Sequence, residues 1–291
     1  MAGMRRLITC FLGILPGLLG AQSFTTYPDI LSLSYYNEAM LNPGYVSEEG
    51  RSDLFFAHKF FTGALKDVNT SFFTADRTFR KESGATHVGR LLFFNERQGP
   101  YINKPSGYGN YAYQLPISER IRLYAGVSVG IAAANYTVPS SSGNQTATLP
   151  DGGIGVGAKG ERWSAGGACL QVLNSSAQPY NATMYLGRYY QVHARYELPL
   201  SMDWVWKNQA VWRHLPETQD QYYLLSSIHY VETAGFGAIW RIEKGISFFV
   251  SLLPHYQEDR LLFSFTYNTA MLGDTPSWQN SMEFNIGYRI H

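Results

Sequence analysis

Three groups of residues have the types and spacing that chemistry uses. Gly155-Val-Gly157-Ala-Lys-Gly160 matches G-x-G-x-x-G, a phosphate-cradling turn only where a helix follows to receive the pyrophosphate at its N-terminus. Here ERWSAGGACLQVL follows, which reads as a returning strand, so glycines at period two thin one face of a sheet. His193, Arg195 and Glu197 fall on one face of a strand. Such a cluster either shapes a channel or satisfies itself in a filled interior. Ser226 or Ser227 with His229 offers two parts of a nucleophile–base pair, without the G-x-S-x-G elbow. The seven histidines show no metal-binding spacing. The expectation is therefore no catalysis, no metal and no cofactor.

The elements that carry these residues begin with an export signal. Arg5 and Arg6, the run LITCFLGILPGLLG and the small residues before Gln22 have the order of a secretory leader. Residues 1–21 are expected to be removed; Cys10 sits too early in the apolar run to be a lipidation site. Only Cys169 then remains, which excludes an intrachain disulfide. A net charge of +1 gives no electrostatic footprint for nucleic acid. Charged residues make up only 15% of the chain, whereas Tyr (21), Phe (17) and Gly (28) are abundant. That profile fits an outer-membrane barrel, with a secreted β-sandwich as the rival.

Strand length separates the two. Ile121, Leu123, Val127, Val129 and Ile131 share a face opposite Arg122, Tyr124, Ser128 and two glycines. Met282, Phe284, Ile286, Tyr288 and Ile290 oppose Glu283, Asn285, Gly287 and Arg289 in the same way. Segments of about 10–12 residues are long for a sandwich and suit tilted membrane strands. About fourteen are expected: 52–61, 69–79, 84–94, 107–115, 121–131, 152–160, 162–172, 187–198, 202–213, 221–230, 232–243, 245–253, 260–270 and 279–290. Connections alternate between long (NERQGPYINKPSG, NYTVPSSSGNQTATLPDG, NSSAQPYNATMYLG) and short (RKES, PISER, PLS). The fold expected is a closed antiparallel transmembrane β-barrel in residues 52–291, with short periplasmic turns and longer extracellular loops.

Residues 22–51 precede the wall and contain YYNEAMLNPGYVS, Tyr35 to Ser47. Pro43 and Gly44 forbid a helix through its second half. Three uses are open: a plug, a turn that starts the sheet, or a docking peptide. Tyr35, Tyr36, Met40 and Tyr45, folded back as one apolar cluster at the periplasmic mouth by Asn42-Pro43-Gly44, are the candidate residues.

With the strands placed, the chain resembles the PorP/SprF family of Bacteroidetes outer-membrane proteins. The resemblance rests on Asn42-Pro43-Gly44-Tyr45-Val46-Ser47, on FFTGALKDVNTSFFTADRTF, HVGRLLFFNERQGPY and GYGNYAYQLPISERIRLYAGVSVGI. DGGIGVGAKGERWSAGGACLQVLN and the final NSMEFNIGYRI extend it. Departures at Gly44, Val46, Ser47 and Asn280–Glu283 mark a divergent paralogue. The resemblance implies an outer-membrane component of type IX secretion and gliding, without enzymatic activity. It would assist secretion or surface anchoring of cargo bearing a type IX C-terminal signal. The partners implied are the translocon, a periplasmic ring or peptidoglycan-binding lipoprotein, the cargo's C-terminal domain, and outer-membrane lipid. A passive channel or hydrophobic-solute transporter is the alternative.

Overall fold

The computed structural model describes residues 22–32, 34–47, 51–137, 145–178, 182–231, 233–242, 244–256, 258–269 and 280–290; the expected leader, with Cys10, lies outside them. Fourteen strands form the wall. They are β1 (Ser52–Phe61), β2 (Asn69–Arg80), β3 (Thr86–Arg97), β4 (Ile102–Pro116), β5 (Arg122–Tyr136), β6 (Gln145–Lys159) and β7 (Trp163–Leu170). Then follow β8 (Tyr189–Pro199), β9 (Trp204–His214), β10 (Gln221–Tyr230), β11 (Ala234–Arg241), β12 (Gly245–Leu252), β13 (Asp259–Asn268) and β14 (Ser281–Ile290). Each pairs antiparallel with its chain neighbour, and β14 returns to β1 from Ser281↔Phe61 to Ile290↔Ser52, so the sheet is closed. Closure leaves no strand edge facing lipid, the condition for a β-structure to span a bilayer.

The alternation sorts side chains as the pleat demands. On β5 the face with Leu123, Val127, Val129 and Ile131 is exposed on the outer wall, and Tyr124 on the other face is buried. On β14, Phe284 and Ile286 are exposed while Glu283 and Asn285 are buried. Rings collect near both rims of the wall: Trp163, Trp204 and Tyr230 at the short-turn end, and Tyr190, Trp212, Tyr222 and Trp240 at the other. Such girdles mark the two membrane interfaces.

Two expectations need adjusting. Strands β4, β5 and β6 are 15 residues each, well beyond the 107–115, 121–131 and 152–160 read from sequence. The stretches AAANY and QTATLPDG, read as loop, continue the β5–β6 hairpin with Ala134 opposite Ala147. They do so because Ala132, Ala134, Ala147 and Leu149 bury against Met184 and Leu186 of the loop before β8. Composition rich in Thr, Pro and Asp hid that cover.

The second concerns residues 22–51. Tight turns such as 81–85 and 117–121 define the periplasmic rim. Gln22–Thr26, however, lies at the opposite, long-loop rim, where it pairs in parallel with Ala182–Leu186 of the loop between β7 and β8. From there the chain passes through the lumen, and both its middle, at Tyr36 and Asn37, and its end, at Tyr45 and Ser47, reach the short-turn mouth. The segment thus occupies the full height of the barrel, not the periplasmic mouth alone.

Two outcomes are expected. Ile286→Arg, near the middle of β14, should cost about 2–4 kcal/mol, whereas Asn285→Ser should cost about 1 kcal/mol. Arginine at 285, which the alternation alone would tolerate, is excluded because Asn285 is buried and donates to Ser264 Oγ at 3.0 Å. Urea titration in lipid vesicles measures the contrast, and equal losses would reverse the faces. An epitope placed directly before Gln22 should bind antibody on intact cells; labelling only after the outer membrane is breached would contradict the path of the segment.

Candidate functional site

A segment without regular structure, buried inside a wall, must find a partner for each backbone carbonyl. The wall supplies them from inward-facing polar side chains. Arg213 donates to Pro28 O (3.0 Å), Gln191 to Leu41 O, Asn110 to Pro43 O (3.0 Å), Arg90 to Tyr45 O (3.1 Å) and Lys159 to Val46 O. Side chains of the segment answer in kind. Asn37 donates to Thr74 Oγ1 (2.7 Å), Tyr36 to Ser251 Oγ (2.6 Å) and Ser32 to Asn268 Oδ1 (2.8 Å). Ser32 N–H donates to Glu283 (2.9 Å), and Asp29 pairs with Lys59. Among the described residues, at least eleven of the fourteen strands hydrogen-bond to the segment.

At its lower half, Glu38–Met40 makes one helical turn capped by Asn37, whose side chain accepts from Ala39 N–H. Asn42 then opens a β-turn: its Oδ1 accepts from Gly44 N–H (2.8 Å), and Tyr45 N–H donates to Asn42 O (3.0 Å). Pro43 takes the second turn position, where its fixed φ fits. The carboxamide of Asn42 also donates to Val156 O (3.0 Å) and Gly167 O (3.3 Å) on β6 and β7. Backbone therefore lies on backbone here, and glycines make room. A Cβ at Gly126 would stand 2.5 Å from Pro43 O, and one at Gly44 would stand 2.6 Å from Gly155 O. At Gly155 it would strike the Asn42 side chain, and at Gly166 it would meet Asn42 Nδ2 at 2.7 Å. Of the G-x-G-x-x-G match, Gly155 belongs to this seat, with Gly126 and Gly166 from outside the match, whereas Gly157 makes room for the Tyr124 ring and Gly160 for the Trp163 indole. The strand runs straight into β7 with no helix.

On the short-turn side of Asn42, Glu38 is 1% exposed and joins the cluster on β8. Arg195 Nη1 reaches Glu38 Oε1 at 3.1 Å, Ser164 donates to Oε2 at 3.3 Å, and His193 Nε2 lies 3.7 Å away. Arg195 also binds Glu197, which has Lys207 at 3.7 Å. The guanidinium of Arg195 stands 4.3 Å from the centre of the Tyr35 ring, within cation–π range. A buried acid is tolerable when paired and hydrogen-bonded like this.

The candidate residues are buried, but not as one cluster. Tyr35 and Leu41 pack on Val211, Tyr223, Leu225, Ile239 and Phe249, with Tyr36 at their edge. Met40 lies with Leu31, Phe55 and Phe72 on another side of the lumen. Tyr45 sets its ring edge-on to Tyr124 at 6.2 Å, nearer the short-turn mouth. The lumen offers separate apolar patches, so a segment passing between them divides its side chains. Gly44 sits in the turn without a positive φ; close approach to β6 requires a glycine there. Ser227 Oγ and His229 Nε2 are 3.1 Å apart, but His229 lies against Tyr35 and Tyr36, and Ser226 faces outward and bonds Trp206. No group of three His, Cys, Asp or Glu among the described residues is placed to hold a metal. Reasoning from sequence missed Glu38, Arg90, Asn110 and Gln191. Glu38 alone left a signal, as an acid within an apolar knot.

At the short-turn mouth a basin of about 260 Å³ is bounded by Tyr36, Asn37, Tyr45, Arg90, Arg195 and Arg289. At the long-loop mouth a second, of about 480 Å³, is lined by Asp29, Lys59, Glu96, Arg241 and Lys244. Burial in the turn before β12 brings the Lys244 ammonium down to about 8.

A closed, girdled, fourteen-stranded wall around an internal segment defines an integral outer-membrane β-barrel protein. Residues 24–288 match the family described as type IX secretion system membrane protein PorP/SprF, and the chain belongs to that family. Comparison with curated proteins gives no match. Among solved structures it is similar to the CymD monoaromatic hydrocarbon channel, at 12% identity and TM-score 0.52 over 90% of this chain and 93% of that one. It is also similar to the TodX deltaS2S3 mutant monoaromatic hydrocarbon channel, at 8% identity and TM-score 0.54 over 92% and 95%. A Pseudomonas aeruginosa FadL homologue gives 8% identity and TM-score 0.51 over 83% and 90%. At these identities the likeness is one of fold.

The seat makes a coupled prediction. Asn42→Ala and Gly155→Ala should each destabilise by about 1–3 kcal/mol, the first by lost hydrogen bonds and the second by overpacking. Because the new methyl points at the side chain the other variant removes, the double variant should lose clearly less than the sum. Urea midpoints give the cycle; additive losses would mean the turn does not sit on β6.

Proposed function

We propose that this barrel serves type IX secretion without enzymatic activity, by holding other proteins at its rims and not by passing them through its lumen. The observation that carries this reading is the segment hydrogen-bonded to at least eleven strands inside the wall. An eight-stranded barrel has an interior that side chains can fill, and diameter grows roughly linearly with strand number. Fourteen strands leave space for one extended chain, and here that space is taken. The function supported best is assistance to secretion or surface anchoring of cargo with a type IX C-terminal signal. Its partners would be the translocon and a periplasmic ring or peptidoglycan-binding lipoprotein. Family membership supports the system, and the closed lumen supports an accessory role within it.

Of the candidate set, Tyr36 and Tyr45 border the periplasmic basin beside Asn37 and the buried Tyr35, and we read these two as the part available to a periplasmic partner. Tyr35, Met40, Asn42, Pro43 and Gly44 act by keeping that surface in place.

Purification of the tagged protein from native outer membranes, followed by mass spectrometry, should recover secretion components and cargo C-terminal domains. Recovery of neither would overturn the reading. In planar bilayers the full chain should be electrically silent and a chain lacking residues 22–47 should conduct. Steady conductance of the full chain, blocked by a small apolar solute, would favour a channel instead.

A further inference from the structure

We propose that the lumen contains a binding site for a small apolar molecule of about one ring, formed between the internal segment and the wall at β2–β4. A cavity of about 120 Å³ lies there. The segment contributes Ala39, Met40 and Pro43, and the wall contributes Phe72, Leu92 and Phe94. A cavity of about 150 Å³ lined by Leu, Ile and Phe stays dry and takes up benzene or xenon. This one is of similar size; Ala39, Met40, Pro43, Phe72, Leu92 and Phe94 line its apolar side, and Tyr108, Asn110, Asp151, Gln191 and Arg213 stand at a polar margin.

The polar groups at its margin fix the ligand class. Tyr108 donates to Asp151 Oδ2 at 2.7 Å, and Gly152 N–H donates to the other carboxylate oxygen at 2.6 Å. Arg213 is engaged by Pro28 O and Gln221 Oε1, each at 3.0 Å. Asn110 is spent on Pro43 O and Val127 O, and Gln191 on Leu41 O. Of these groups only Arg213 Nε lacks a partner among the described residues, so a guest meets a margin whose hydrogen bonds are otherwise made within the protein. A polar molecule would leave most of its own hydrogen bonds unmade, whereas a hydrocarbon loses nothing. Met40 gives the site an adaptable wall, since its unbranched thioether fills irregular gaps. Entry is from outside: Asp29 and Ile30 line both this cavity and the 480 Å³ basin at the long-loop mouth.

Because part of the site is the segment itself, a guest binds the seated state and stabilises it by mass action. The site does not depend on the secretion role, and each can fail without the other.

The test uses the full chain in lipid nanodiscs with benzene as the probe. Benzene should raise the thermal midpoint saturably, by about 2–4 °C for each kcal/mol of binding linkage. Ala39→Leu, which fills the cavity, should abolish the rise; Ala39→Val serves if the leucine variant does not assemble. No rise in the wild type would overturn the proposal. An equal rise in wild type and filled variant would overturn it too, by assigning the effect to the bilayer. Crystals pressurised with xenon should show a peak between Met40 and Phe94. Xenon bound only elsewhere would count against the site.

Discussion

Everything inside this barrel depends on one demand, that the backbone of an irregular chain at membrane depth be hydrogen-bonded by protein. Irregular backbone survives there only when it is buried in protein or lines water. The wall meets the demand with long donors on its inner face, namely Arg90, Asn110, Lys159, Gln191 and Arg213, each reaching a different carbonyl of the segment. Where no donor is interposed, glycines let backbone lie against backbone, and Asn42 returns the bond to Val156 O and Gly167 O. The polarity of the lumen is thus addressed to a chain, and the segment and wall are halves of one interior.

That division explains what the sequence disclosed. The outer face was legible because lipid asks the same of every strand: Val127, Val129, Phe284 and Ile286 repeat a period of two wherever they occur. The inner face was not, because its partner is elsewhere in the chain. Gly155 and Asn42 were each conspicuous, yet nothing in their spacing says that one receives the other. Glu38 and Arg195 lie 157 positions apart and meet only because the chain turns back through the lumen. The length of β4–β6 was underestimated for a related reason: Met184 and Leu186, which cover them, come from a loop that composition reads as solvent-facing.

The two mouths differ in kind. The outer one carries a three-stranded sheet made by Gln22–Thr26, Ala182–Leu186 and Ser176–Ala177, so the longest described loop is pinned by the start of the segment. Among the described residues the inner one carries no such sheet, and it presents Tyr36, Asn37 and Tyr45 among arginines. To another protein, a barrel whose centre is occupied offers its rims, and these two differ in shape and in the residues they present.

The position of Asp29 and Ser32 bears on how the ring is completed. Strands β1 and β14 are the ends of the wall, and their pairing joins Ser52 to Ile290. Contacts between residues so distant in sequence are slow to form, because chain entropy is lost before the contact rewards it. Asp29 binds Lys59 on β1, and three residues later Ser32 binds Glu283 on β14 and Asn268 on β13. The segment leaves the ribosome ahead of every wall strand and grips both sides of the seam. It is a clasp: once seated, it bridges the two strands whose pairing closes the ring, and so shortens the loop across which that pairing must form.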